Sequence, residues 1–143
     1  MREIYTEIEI HASAEKTWEI LMNFERYPDW NPFIKKISGK AEAGEKIEVF
    51  MQLPGGKSMT FKPEVREINP NQEFKWLGHL FIPGLFDGEH TFKIESISEN
   101  KIRFIHKEKF KGILVPLLWR SLNSPTQNGF EGMNRALKSI AEE

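Results

Sequence analysis

His90, His106 and Glu108 are the residues of this sequence whose types and placement could do chemistry. An imidazole facing a carboxyl group can orient a polar ligand, or move a proton beside a carbonyl. The three sit on two alternating segments, "GEHTFKIESI" and "KIRFIHKEKF". In the first, Phe92 and Ile94 mark the even positions as the apolar face, and His90 goes with them. In the second, Ile102, Phe104 and Phe110 mark the face that His106 and Glu108 share. The turn "SEN" between them reads as a three-residue hairpin loop with Asn100 at positive φ, which sets Ile97 opposite Lys101. That register pairs Ile94 with Phe104, Phe92 with His106 and His90 with Glu108. Directly opposed side chains have Cβ atoms about 5 Å apart. A hydrogen-bonded His90–Glu108 pair on the inner side of a sheet is therefore expected. Parity gives the side and not the depth, so the patch lines a cavity or reaches a solvated rim.

Two histidines and a carboxylate are also the donor types of a facial metal triad. Strand positions two residues apart do not readily converge on one ion, so no metal and no cofactor is expected. No nucleophile motif, glycine-rich phosphate loop or dinucleotide fingerprint is present.

Other residues bear on the same space. Trp76 shares the parity of Phe74 and should line the wall, with Gly78 leaving room beside it. His79 has the opposite parity and faces out, and His11 reads as a surface residue. The loop "HLFIPGLFDGEH" holds more apolar side chains than a tight turn can bury. With Phe81 and Phe86 it reads as a lid, as a loop fixed on the last helix, or as a dimer contact.

These side chains need elements to position them. A chain of 143 residues suits one domain, taken as 1–143. A net charge of −1 without basic clusters argues against nucleic acid as a partner. The absence of cysteine excludes disulfides, zinc–thiolate sites and thiol catalysis. No apolar run reaches the roughly 20 residues that span a bilayer, so no stable membrane insertion is expected. Met1, Arg2 and Glu3 lead directly into an alternating segment, and a cytoplasmic, leaderless protein is expected.

Residues 4–10 alternate as a half-buried strand. Ser13 is the N-cap of a helix carrying Trp18, Leu21 and Met22, and a short second helix or turn covers 25–31. Strands follow at "FIKKISG", at "KIEVFMQL" with Ile47, Val49 and Met51 on one face, and at "SMTFKPEVREI". Pro54-Gly55-Gly56 and Asn69-Pro70-Asn71 are turns, and Pro63 marks an edge or a bulge. "EFKWLGHL" and the two segments above complete seven strands, and residues 113–142 are helical. Short turns between successive strands imply an antiparallel sheet, here an α+β domain whose curved seven-stranded sheet grips the last helix.

This order resembles the START-like (SRPBCC) superfamily, with its birch-pollen-allergen-like helix-grip fold. The local sequence is similar to its polyketide cyclase/dehydrase and lipid-transport branch. The features that match are "ASAEKTWEILMNFERYPDWNPFI", "GEHTFKIE" and "FKGILVPLLW", and the likeness covers nearly the whole chain. In the resembled fold "NFERYPDWNPF" turns the chain into the second strand, so Trp30 and Phe33 are expected to plug the gap between sheet and helix as core. The family pattern has one long C-terminal helix. Here "SPTQ" resembles a capping box with Pro125 at N1, which predicts a kink or break near 121–125.

The resemblance implies a site for a small hydrophobic molecule such as a lipid, isoprenoid or polyketide. Its expected walls are Trp76, His90, Phe92, His106 and Glu108, with Phe81 and Phe86 on the lid and Phe130 and Met133 on the helix. The enzyme alternative is a cyclase or dehydrase using His90 and Glu108 as an acid–base pair. A protein-interaction module is the third reading. The expected assembly is a monomer or homodimer.

Overall fold

The structure is a computed structural model and describes residues 1–143 except Gly56 and Phe81. Phe81 of the expected lid and Gly56 of the expected turn therefore lie outside the described residues. The order is β1 (Arg2–Ile10), α1 (Ala14–Met22), a single 3₁₀ turn (Phe24–Arg26), α2 (Tyr27–Trp30), β2 (Ile34–Ser38), β3 (Glu48–Gln52), β4 (Ser58–Phe61), β5 (Glu64–Asn69), β6 (Glu73–Leu80), β7 (Phe86–Ser98), β8 (Lys101–Lys111) and α3 (Val115–Ala141).

Among the described residues, eight strands replace the seven expected, in two antiparallel sheets ordered β1-β8-β7-β6-β5 and β2-β3-β4. The difference lies at Pro63. "SMTFKPEVREI" reads as one strand but forms two, β4 and β5, because proline offers no N–H to a ladder and ends the pairing there. The corner stays stitched through backbone. Ile47 N–H donates to the Pro63 carbonyl at 3.0 Å, and Val65 N–H donates to the Glu45 carbonyl at 2.8 Å.

The β7–β8 hairpin also differs at its tip. Ser98 pairs with Lys101 and Ile97 is bulged out, so the loop is the two residues Glu99 and Asn100. Asn71, rather than Asn100, takes positive φ. The bulge absorbs the difference of one residue, and Ile94–Phe104, Phe92–His106 and His90–Glu108 pair as the alternation requires.

α3 lies in the concavity of the sheet and buries Phe130, Met133, Leu137 and Ala141. It runs through Pro125 as one helix, against the break expected near 121–125. Ser124 does not cap, and its hydroxyl donates to Asn123 Oδ1 at 3.1 Å. Proline removes one helical hydrogen bond. Leu118 and Leu122 before it and Phe130 after it all pack on the same core, and that packing offsets the lost bond.

The aromatic stretch before β2 works as local scaffolding. Ser13 Oγ caps α1 by accepting from Lys16 N–H at 3.1 Å. Asn31 Oδ1 accepts from the backbone N–H groups of Phe33 and Ile34, at 2.9 and 2.8 Å, and this turns the chain into β2. Phe33 is fully buried with its ring 5.6 Å from that of Phe130, so it fills the gap between sheet and helix. Trp30 is only half-buried and packs on Tyr27, 5.2 Å between rings.

Candidate functional site

β6, β7 and β8 present their inner faces to α3, and at one end of this space a pocket of about 90 Å³ remains. Its apolar wall includes Phe33, Met51, Leu53, Met59, Phe61 and Leu80, closed by Phe86, Phe110 and Leu122. Two glycines that pair across the strands, Gly78 on β6 and Gly88 on β7, line it. One carboxyl group reaches it, that of Glu108. A side chain on residue 88 would overlap Glu108 Oε2, so Gly88 is the seat of that carboxyl group.

Behind Glu108 runs a buried polar chain. His90 Nε2 and His106 Nε2 are 2.7 Å apart, His106 Nδ1 and Asn134 Oδ1 are 2.9 Å apart, and Asn134 Nδ2 donates to Thr6 Oγ1 at 2.9 Å. Thr6 Oγ1 donates to the His106 backbone carbonyl at 2.7 Å. His90, His106, Thr6 and Asn134 are all buried. The rings of His106 and Phe130 stack at 4.0 Å and Trp76 lies 4.8 Å from His90, so aromatic faces exclude water on both sides.

The direction of the chain follows from its far end. A backbone carbonyl only accepts, so the Thr6 hydroxyl proton is committed to it. Thr6 Oγ1 must then accept from the Asn134 amide, which turns Oδ1 toward His106. His106 Nδ1 carries a proton, and its Nε2 accepts from His90 Nε2–H. His90 Nδ1 is left as a lone pair, buried and without a hydrogen bond, with Glu108 Oε1 at 3.4 Å. Burial lowers His90 to about 3. It also holds His106 well below the ordinary histidine value, helped by His90 and opposed by hydrogen bonds to Asn134 and the Phe130 carbonyl. Burial pushes the Glu108 carboxyl up to about 8, although its side chain keeps 15% exposure at the pocket. Burial thus favours the neutral form of both imidazoles and of the Glu108 carboxyl group.

Of the expected wall residues, Glu108 and Phe86 line the pocket. His90 and His106 stand behind the wall, His90 meeting Glu108 at 3.4 Å and bonding His106 rather than forming the expected hydrogen bond. Trp76, Phe92, Phe130 and Met133 are fully buried and make up the aromatic and aliphatic packing around the histidines. Phe86 begins β7, buried against Phe110 at 5.5 Å. The loop before it is tied down: Ile113 N–H donates to the Gly84 carbonyl at 3.2 Å, and Leu114 N–H to the Leu85 carbonyl at 2.9 Å. His79 faces out and meets Asp87 at 2.7 Å.

Asn134, Thr6 and Gly88 escaped the sequence reading. Each left a signal. Asn134 is a polar residue within the apolar stripe of Phe130, Met133 and Leu137, and Thr6 shares the inward parity of Ile4 and Ile10. Gly88 interrupts the apolar face of an otherwise bulky strand.

No curated protein sequence matches the chain. Solved structures do match in fold. A START superfamily protein from Mycobacterium smegmatis superposes with TM-score 0.77 at 21% identity, over 98% of this chain and 97% of that one. The Zhui aromatase/cyclase from Streptomyces sp. R1128 superposes with TM-score 0.80 at 13% identity, over 99% and 93%. A protein from Thermus thermophilus gives TM-score 0.75 at 16% identity, over 98% and 97%. They share the curved sheet closed on a long C-terminal helix, the START-like helix-grip fold. A family model described as polyketide cyclase / dehydrase and lipid transport matches residues 1–142, and the chain belongs to that family.

Proposed function

We propose that the chain binds a small, largely apolar molecule in the pocket between sheet and α3, with Glu108 as the polar anchor. The observation that carries this reading is one carboxyl group on an apolar wall, seated on Gly88 and backed by buried histidines. Apolar area gives affinity in such sites and a few polar groups give orientation. At about 90 Å³ the pocket takes a single ring or a short chain, whereas sites for drug-sized molecules run to ~300–1,000 Å³. A larger lipid or polyketide would place one end here. Toluene titrated into labelled protein tests the reading. Saturable shifts of the Gly78 and Gly88 amide signals are expected, and a folded protein showing none would refute it.

The 3.4 Å contact between His90 and Glu108 supports a second reading, proton transfer during cyclisation or dehydration of a bound ketone. Deuterium uptake from heavy water beside the carbonyl of acetophenone, lost in Glu108→Gln, is its signature.

A further inference from the structure

We infer that Glu108 serves the pocket as a neutral acid whose free oxygen, Oε2, selects ligands carrying a neutral hydroxyl group. This rests on reading the pocket as a ligand site and goes on to name the ligand chemistry. The Thr6–Asn134–His106–His90 chain can run in one direction because it ends on a backbone carbonyl. His90 Nδ1 therefore presents a lone pair to Glu108 Oε1. An ionised carboxylate would set lone pair against lone pair in a water-excluded place, whereas a carboxylic acid donates its proton to the nitrogen.

The surroundings agree. Glu108 faces His90 across β7 and Ile4 across β1, with Phe110 next on its own inner face and Leu122 and Thr126 of α3 on the pocket wall. None of these carries a charge at neutral pH. His79, at the pocket edge, is engaged with Asp87. With Oε1 turned toward the His90 lone pair at 3.4 Å, Oε2 over Gly88 is left to accept. A phenol or alcohol supplies that proton. A hydrocarbon of the same shape leaves the oxygen unpaired, and sites built around a hydrogen bond discriminate against such analogues.

The test compares phenol with toluene on the wild-type chain at pH 7, read by the Gly78 and Gly88 amide signals. Phenol is expected to bind about tenfold more tightly, although a purely apolar pocket favours toluene. Glu108→Met should abolish the preference and Glu108→Gln restore it, because a glutamine amide donates through nitrogen and accepts through oxygen as a neutral acid does. The carbon-13 shift of the Glu108 carboxyl group in the wild type should be that of a protonated acid, and this readout stands even if a variant does not fold. Toluene binding as tightly as phenol, glutamine behaving like methionine, or an ionised Glu108 at pH 7 each overturns the inference while the pocket reading stands. If neither probe binds, both fall.

Discussion

Glu108 Oε2 lies too close to Gly88 for residue 88 to carry a Cβ without displacing it, so the carboxyl group and the glycine are two halves of one feature. Gly88→Ala should swing the carboxyl group into the pocket and away from His90. The end of a glutamate is flexible, so stability should change by no more than about 1 kcal/mol. Binding of toluene should weaken at least about tenfold, which amide-shift titration would read. Undiminished binding would show that the carboxyl group has another resting place.

A second glycine works by packing. An added Cβ at Gly129 would lie 2.5 Å from a Phe33 ring carbon. Alanine in a helix normally gains about 1 kcal/mol over glycine. Here overpacking, typically about 1–3 kcal/mol, should outweigh it. Gly129→Ala should lower the denaturation midpoint, and a rise would mean that Phe33 moves freely.

Asn134 bonds two buried partners at once, His106 Nδ1 and Thr6 Oγ1. Asn134→Leu keeps the branched shape, leaves His106 Nδ1–H without its acceptor and takes from Thr6 Oγ1 the donor it accepts from, though Thr6 still donates to the His106 carbonyl. About 1–3 kcal/mol is expected for each group left unpaired, seen as a loss of stability in urea. Thr6→Val removes one of the two groups, so the double variant should lose less than the sum of the singles.

The buried titratable groups give stability a peaked dependence on pH. His90 and His106 stay neutral when folded but take protons below about 6.5 when unfolded, so their contribution falls as pH drops below 6.5, for His90 down to about 3. Glu108 holds its proton to about 8 when folded but loses it near 4.5 when unfolded, so its contribution falls as pH rises from 4.5 through 8. Denaturant midpoints across pH 4–9 should show losses on both flanks. Glu108→Gln should remove the alkaline flank alone. A persistent alkaline loss would place its cause elsewhere.

Alternation by twos was enough to set His90, His106 and Glu108 on the inner face and to pair His90 with Glu108, because strand geometry offers each side chain one of two faces. Ile97 shows how robust that was: the turn came out a residue shorter than expected, and a bulge returned the strands to the register that keeps apolar faces together. Ser13 as a cap was equally local, a side chain answering an N–H three residues on. Depth and partnership were not local. His90 bonds His106 rather than Glu108 because Asn134, from a helix 28 residues beyond His106, and Thr6, from the first strand, arrive from elements far along the chain and set the direction of every proton between them. Pro125 carried a strong local signal for a break, and Pro63 one whose consequence was ambiguous. Tertiary packing on both sides of Pro125 overrode the first, while at Pro63 the missing N–H divided one expected strand between two sheets. Sequence spacing determines which face a residue shares. What meets it there, and whether a carboxyl group keeps its proton, depends on how much water the assembled core leaves beside it.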